Sequence, residues 1–490
     1  MKDTGQSCRP ERLHKTARPC QESESTMEPG RRVVLYAGLG VGHLTPMVEL
    51  AKLFLCRGLA VIIAVPTRPG PASVASLAAA NPSVSFHLLP PPPYPDPDPS
   101  QFVRMLDTFR LCAPSLLALL RSLPSVAALV VDMFCAHAVD VAAALNVPAY
   151  IYWTSSARAF ASFLHLPYYY SKTASSLGDM GKALLHFPGV PPIAASDMPS
   201  TEQDREGRAY KARTALYARV AQATGVLLNT FEWLEARAVK ALREGACVPD
   251  RPTPPVYCVG PLVAAGTSEA GESERHACLA WLDAQPDRSV VFLCFGSVGA
   301  FSVTQLKEIA RGLETSGHRF LWVVRSPLQD PSKFIEPRPE PDLEELLPDG
   351  FLKRTRERGL VVSSWAPQAE VLHHGATGAF VTHCGWNSAL EGVTVGVPLL
   401  CWPQYAEQRL NKVLIVEEMK VGVVMQGYDE ELVSAEEVEA KVRLVMESEE
   451  GKRLRERLAV AREKAADALM DGGPSRLAFD QFLKDLGRSK

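Results

Sequence analysis

His43 closes a glycine-rich turn, Gly38-Leu39-Gly40-Val41-Gly42, that follows the apolar, β-branched run 32–37. Asp132 follows a second such run, 127–131. Both runs read as buried strands. Parallel strands share one edge at their carboxyl ends, and open α/β sheets take their ligands there. A histidine and an aspartate brought together at that edge make a base. The carboxylate fixes the tautomer and stabilises the imidazolium, while the other ring nitrogen takes a proton. Asp140 is the second choice of partner, but AVDVAAAL reads as a helix that carries it away from the strand end. Phe134, just beyond Asp132, offers a stacking surface for a flat substrate. The competing reading is that His43 and Asp132 each do no more than cap a loop.

A second concentration of chemistry lies between Trp365 and Gln408: WAPQAEVLHHGATGAFVTHCGWNSALEGVTVGVPLLCWPQYAEQ. GAFVTH reads as a strand ending at His383, Cys384-Gly385 as a turn, and Trp386 to Glu391 as the start of a helix. The free N–H groups and dipole of that helix suit an anion. His383, Asn387 and Ser388 add side-chain donors, and Glu391 can accept from two ribose hydroxyls. Trp365 offers a face for a base, and the backbone of Ala366 can read the base's edge. Glu407 and Gln408, after the strand VPLLCWP, reach toward sugar hydroxyls. A phosphate also suits the turn Gly296-Ser297, which ends the strand SVVFLCFGSVG and precedes a further helix. It is not a serine-hydrolase elbow, since GxSxG needs glycine where Phe295 stands. His383 beside Cys384 is not a protease pair, because adjacent strand residues point to opposite faces. The stretch reads as a nucleotide-sugar surface.

The elements that position these residues are those of an α/β chain. At 490 residues and 47% hydrophobic, two domains with sizeable cores are expected. The net charge of −3 gives no case for nucleic acid or an anionic membrane. Eleven scattered cysteines without CxxC spacing suit a reduced, cytoplasmic setting. No apolar run reaches the ~18–20 residues of a membrane span. Residues 1–26 are polar and lack the apolar core of a secretory signal. They read as a disordered extension ahead of Met27. Thr45 is the expected N-cap and Pro46 the first residue of a helix that stops at Gly58. The strand LAVIIAV follows. This β–turn–α–β unit differs from a dinucleotide fingerprint: His43 replaces the third glycine, and no acidic residue follows Val65-Pro66-Thr67. Thr154 ends the strand AYIYW. Residues 88–100 are a stiff proline-rich connection, in which Asp96-Pro97-Asp98 only spells a metal motif. Residues 264–273 are small and polar and read as a linker. Ser434 with Glu437 makes a capping box for one long helix to about Met470. DGGPS then breaks it before a last short helix.

With these residues in view, segment 365–408 resembles the plant secondary product glycosyltransferase box, the 44-residue signature of family 1 UDP-dependent glycosyltransferases. It matches in length, in WAPQ and HCGWNS, in the glutamate three residues after that serine, and in the closing acidic-Gln pair. The likeness extends from about Met27 to the C-terminus. It implies the GT-B fold, with two Rossmann-like domains facing across a cleft. The acceptor domain would span 27–263 and the donor domain 274–473, with a last helix, 474–490, crossing back. It also implies roles. His43 would be the base and Asp132 its partner. Trp365 would stack on uracil, with Ala366 at its edge and Gln368 and Glu391 at the ribose. Ser297, His383, Asn387 and Ser388 would hold the diphosphate, and Thr154, Trp386, Glu407 and Gln408 would surround the sugar. The final glutamine goes with glucose, and Trp386 argues against glucuronate. Gln404 departs from the usual apolar residue. VVDMFC and YIYWTSS look most like the branch that glucosylates flavonoids and small phenolics. The resemblance therefore implies inverting O-glucosylation from UDP-glucose, by a monomer, with no cofactor and no metal. The alternatives are C-glycosylation, or transfer to a terpenoid, hormone or carboxylate. A binding protein without turnover is a further one, against which the His43–Asp132 pair argues.

Overall fold

In the computed structural model the described residues are 31–67, 72–92, 100–264, 266, 276–328 and 338–488. The expected extension, Asp96-Pro97-Asp98 and nearly all of 264–273 lie outside them. The first half of the chain supplies β1 (Arg32–Tyr36), β2 (Ala60–Pro66), β3 (Ser85–Leu89), β4 (Val126–Asp132) and β5 (Ala149–Trp153). A small antiparallel pair follows, β6 (Leu184–Leu185) with β7 (Ile193–Ala194), and then β8 (Gly225–Leu228) and β9 (Val256–Cys258). The second half supplies β10 (Val290–Cys294), β11 (Arg319–Val324), β12 (Gly359–Ser363), β13 (Thr377–Thr382), β14 (Leu399–Cys401) and β15 (Gly422–Val424).

These strands form two parallel sheets, in the orders β3-β2-β1-β4-β5-β8-β9 and β12-β11-β10-β13-β14-β15. Each is doubly wound. The order reverses between β1 and β4 in the first sheet and between β10 and β13 in the second. Such reversals open the crevices where α/β sheets bind ligands. Central strands are buried on both faces, which is why β4 and β10 read as unbroken apolar runs. Alternate residues serve opposite cores: Val33 and Leu35 pack with Phe54 on one face of the first sheet, Val34 and Tyr36 with Leu129 and Trp153 on the other.

The C-terminal helices divide between the halves. The helix Glu449–Leu469 sends Leu458, Ala461 and Ala465 into the second core, alongside Trp386. The chain then turns at Gly472 (φ 78°), and the helix Pro474–Arg488 sends Phe479, Phe482 and Leu486 into the first core. Phe479 lies 5.1 Å from Phe54, and Asp485 accepts from Tyr257 Oη at 2.9 Å. The single long helix expected from Ser434 is two, Ala435–Glu447 and Glu449–Leu469, with Ser448 capping the second by accepting from Gly451 N. The capping box is half formed: Ser434 accepts from Glu437 N, but the Glu437 carboxylate accepts from Gln426 N instead of turning back. No helix among the described residues is long and apolar enough to cross a membrane.

Candidate active site

β1 and β4 are paired through Tyr36↔Val131, so Asp132 and the turn after Tyr36 lie side by side at the first reversal. Gly38 permits this approach, since a Cβ there would stand 2.6 Å from Asp132 Oδ1. Asp132 is fully buried. Its Oδ1 accepts from Phe134 N at 2.9 Å, and its Oδ2 lies 2.8 Å from His43 Nδ1. Capping and pairing with His43 are thus two duties of one carboxylate. Thr154 Oγ1 lies 3.1 Å from the same histidine nitrogen. With Nδ1 donating to the carboxylate, Nε2 is the ring position left to accept a proton. Burial pulls the imidazole down, but the charge and hydrogen bond of Asp132, with Glu407 adding, outweigh it and leave His43 above its ordinary value. The Phe134 ring sits 5.0 Å from the imidazole and 5.8 Å from Phe102. Asp140 lies in the helix Ala138–Ala143 and accepts from Arg219.

The helix carrying His43 begins earlier than its sequence suggests. It spans Val41–Leu55 with Gly40 (φ 91°) as its cap, so Pro46 lies inside it and Thr45 caps nothing. The left-handed glycine starts the helical turn before the Thr-Pro signal is reached. A proline inside a helix cannot donate to the carbonyl four residues back. Here that carbonyl belongs to Gly42, and it accepts instead from Asn387 Nδ2 of the second half, at 2.5 Å. The gap left by Pro46 becomes a bond across the cleft beside His43.

The second reversal carries the helix Trp386–Val395, whose cap, Gly385, makes no side-chain bond to its free N–H groups. His383 directly follows β13 and lies between two glycines: a Cβ on Gly296 or Gly385 would stand 2.6 or 2.5 Å from its Nε2. Burial lowers His383 to about 4, so it is neutral, and its Nδ1 has no partner. Ser297 is exposed on the turn after β10. The next helix starts only at Val303, capped by Ser302, so Ser297 belongs to the turn and not to a helix end. Gln368 Nε2 donates to Ser388 Oγ at 2.9 Å and to Glu391 Oε2 at 2.6 Å. Burial pushes Glu391 up to about 7, against that hydrogen bond. Trp365 is 59% exposed, its ring centre 5.7 Å from that of His276 and steeply inclined to it, while Ala366 is buried.

Three expected sugar contacts are qualified. Trp386 is a core residue, packed in the second core with its indole N–H donating to Asn229 O at 2.7 Å. Gln408 turns its carbonyl oxygen inward to Gln404 N and Tyr405 N at 2.9 and 3.0 Å. Glu407 accepts from Ser155 Oγ at 2.8 Å, across the cleft and one residue past Thr154. Ser155, Ser156 (bonded to Asn411 at 2.9 Å) and Asn229 are contributors that sequence reasoning missed. Their signal is faint, polar residues following apolar strands. Backbone strain is a clearer mark. Three of the six described non-glycine residues with positive φ, Ser364, Cys384 and Ala406, immediately precede Trp365, Gly385 and Glu407. Strain of this kind collects at ligand sites.

A family model described as UDP-glucoronosyl and UDP-glucosyl transferase matches residues 239–460. Over 465 residues the chain is 43% identical to an anthocyanidin 5,3-O-glucosyltransferase from a Rosa hybrid cultivar, covering 91% of this chain and 97% of that one. It is 40% identical to a phloretin 2'-O-glucosyltransferase from Pyrus communis, over 93% of this chain and 100% of that one. The structure of Phytolacca americana UGT2 complexed with UDP-2fluoro-glucose and pterostilbene matches with a TM-score of 0.82 at 36% identity, covering 93% and 99% of the two chains. On likeness of this extent, the protein belongs to the UDP-glycosyltransferase family of plants and is an enzyme of the GT-B fold.

Proposed function

We propose that the protein transfers glucose from UDP-glucose to a hydroxyl of a small phenolic or flavonoid acceptor, with inversion at the anomeric carbon. The observation that carries this reading is the His43–Asp132 pair, 2.8 Å apart beside the Phe134 ring and tied through Gly42 and Asn387 to the start of an uncapped helix. The acceptor lies on the first half, stacked on Phe134, with its hydroxyl at His43 Nε2. The donor lies on the second half. Trp365 stacks on uracil and the Ala366 backbone reads its edge. Gln368 and Glu391 hold the ribose. Ser297, His383, Asn387 and Ser388 meet the diphosphate as neutral donors. Thr154, Glu407 and the Gln408 amide surround the sugar, while the Trp386 side chain supports that wall from the core. The acceptor oxygen bonds to the anomeric carbon as the bond to the UDP oxygen breaks. The proton passes to His43, and the electron pair leaves with UDP.

Magnitudes favour a phenol. Its pKa of ~10 exceeds that of free histidine, ~6.5, by a gap worth roughly 5 kcal/mol. The raised His43 narrows that gap. An aliphatic hydroxyl, nearer the ~15.7 of water, leaves a much larger one. Deprotonation therefore accompanies attack and does not precede it. Both halves of the site come from one chain, which supports a working monomer. The nine described cysteines are free, which suits the cytosol.

The test is mass spectrometry of products from a panel of phenols, flavonoids, terpenoids and carboxylic acids, each with UDP-glucose, UDP-galactose and UDP-glucuronate. Acid-labile O-glucosides of phenols, formed with UDP-glucose, are expected. Carbon-linked products, a uniform preference for carboxylates, or no turnover at all would defeat the reading.

A further inference from the structure

The roles proposed above leave the diphosphate without a cation, although UDP carries negative charge and gains more as the sugar departs. The carboxyl end of β11 supplies one. Arg325 follows Val324 there, half-buried, one strand from Ser297. Among the described residues it has neither a hydrogen bond nor an ion pair. Its stem lines a cavity of about 10 Å³ with Phe295, Gly299, Phe301 and Trp322. Gly299 belongs to the turn that carries Ser297, and that turn is pinned from behind: Arg338 donates to Val298 O and to Ser326 O. Gln404 reaches the same place. A Cβ on Gly299 would stand 2.8 Å from Gln404 Oε1, while Gln404 Nε2 is buried without a partner. This gives an apolar-walled recess beside the Ser297 turn that holds a guanidinium and an amide donor without partners among the described residues.

The charge balance there is one-sided. Burial pulls Arg325 below its ordinary value, and among the described residues the groups acting on it are the Cys294 thiol and the Tyr405 phenol, not a carboxylate. Arg338 is also lowered, by burial and then by the like charge of Arg325. A cation withdrawn from water is costly unless an anion meets it. Arg325 is therefore placed to meet an anion that arrives from outside.

We infer that Arg325, with the Gln404 amide beside it, binds the diphosphate of the nucleotide donor and stabilises the charge that leaves with UDP. This rests on the donor reading given above. As the bond from the anomeric carbon to the β-phosphate oxygen breaks, the electron pair moves onto that oxygen, and the guanidinium and helix N–H groups meet the added charge. Gln404, where relatives of the box usually carry an apolar residue, becomes a donor with a purpose.

The experiment compares two probes that differ only in charge, UDP and uridine, by calorimetry with the full chain. In Arg325→Gln, affinity for UDP should fall about tenfold or more while affinity for uridine stays within about twofold. Arg325→Lys should fall by about threefold for UDP, because a point charge replaces a planar fork. It also serves as the folded comparison should Arg325→Gln not fold. A UDP-to-uridine affinity ratio equal to the parent's in either folded variant, or an equal fall for both probes, overturns the inference. Failure of the donor reading looks different: no glucosyl transfer by the parent, whatever the ratio.

Discussion

The two halves of the molecule repeat one architecture and use it for opposite electrostatics. Each presents a histidine at the reversal of a parallel sheet, after a strand end and beside glycine-bearing turns. His43 has a buried carboxylate 2.8 Å away and is raised above the ordinary imidazole value. His383 has no carboxylate, and burial alone takes it to about 4. The same desolvation acts on both, so the partner decides. The first histidine is held ready to carry a proton and the second is held neutral, the division that the proposed base and diphosphate roles require. Topology places ligands, but it does not choose their chemistry.

The comparison breaks most visibly at His43. His43→Ala should lower kcat for phenolic acceptors by about 10²–10⁴, the usual worth of a positioned base. UDP affinity, measured by calorimetry, should hold within about twofold. Unchanged turnover would remove His43 from the mechanism. Asp132→Asn is a subtler break, with an expected loss of about 10²–10³. Its pH profile tells more than its rate. The base must be neutral, so in the parent kcat/KM rises as pH climbs through the raised pKa of His43, above 6.5. Without the carboxylate, burial is opposed only by the charge of Glu407, so that limb should move to lower pH while the plateau falls. A lower plateau with an unmoved limb would mean that Asp132 acts by packing.

Glu391 sharpens the contrast from the donor side. Its folded pKa of about 7 lies above the ordinary carboxylate value, so the folded state holds the proton more tightly than the unfolded chain. Stability should therefore fall as pH climbs from about 4.5 to about 7. Donor affinity should move the other way, because the ionised form is the better acceptor for ribose hydroxyls. Glu391→Gln should raise KM for UDP-glucose about tenfold, abolish the pH step in donor affinity near 7, and melt higher than the parent at pH 8. His383, already neutral, should add no step in that range. A variant with the parent's KM would show that the Gln368 contact is structural only.

How much of this was legible follows the same physics. The central strands, β1, β4, β5, β10 and β13, read correctly because both faces are buried and their middles are runs of apolar residues. The strands of the two parallel sheets that escaped, β3, β12 and β15, all lie at sheet edges, where exposed or half-exposed positions dilute the pattern, and the two-residue strands β6 and β7 are too short to leave one. The pairing of His43 with Asp132 and the clustering within 365–408 were legible because strand ends are legible. The contacts that join the halves were not. Ser155–Glu407, Asn229–Trp386 and Gly42–Asn387 pair residues 252, 157 and 345 positions apart, and no local pattern records them. The Thr45-Pro46 signal misled for a related reason, since the proline serves the far half of the molecule and not the start of its own helix.

That last point gives the smallest effect and the most specific test of how the halves are coupled. Pro46→Ala restores an N–H that can donate to Gly42 O, closing the ordinary helical bond. The carbonyl must then be shared with Asn387 Nδ2. A hydrogen bond of this kind has a net worth of about 0.5–1.5 kcal/mol, so weakening it should cost roughly two- to threefold. The cost should appear in kcat at saturating donor, because the bond holds the His43 turn against the donor helix and does not itself grip the acceptor. The melting temperature should hold or rise, since the helix gains a bond and loses its proline. A fall in kcat together with a fall in melting temperature would indicate simple damage to the helix. A fall in kcat at constant or higher stability is what a bond built from a missing N–H requires. Combined with Asn387→Ala, which removes the other partner, the Pro46 substitution should then have almost no further effect.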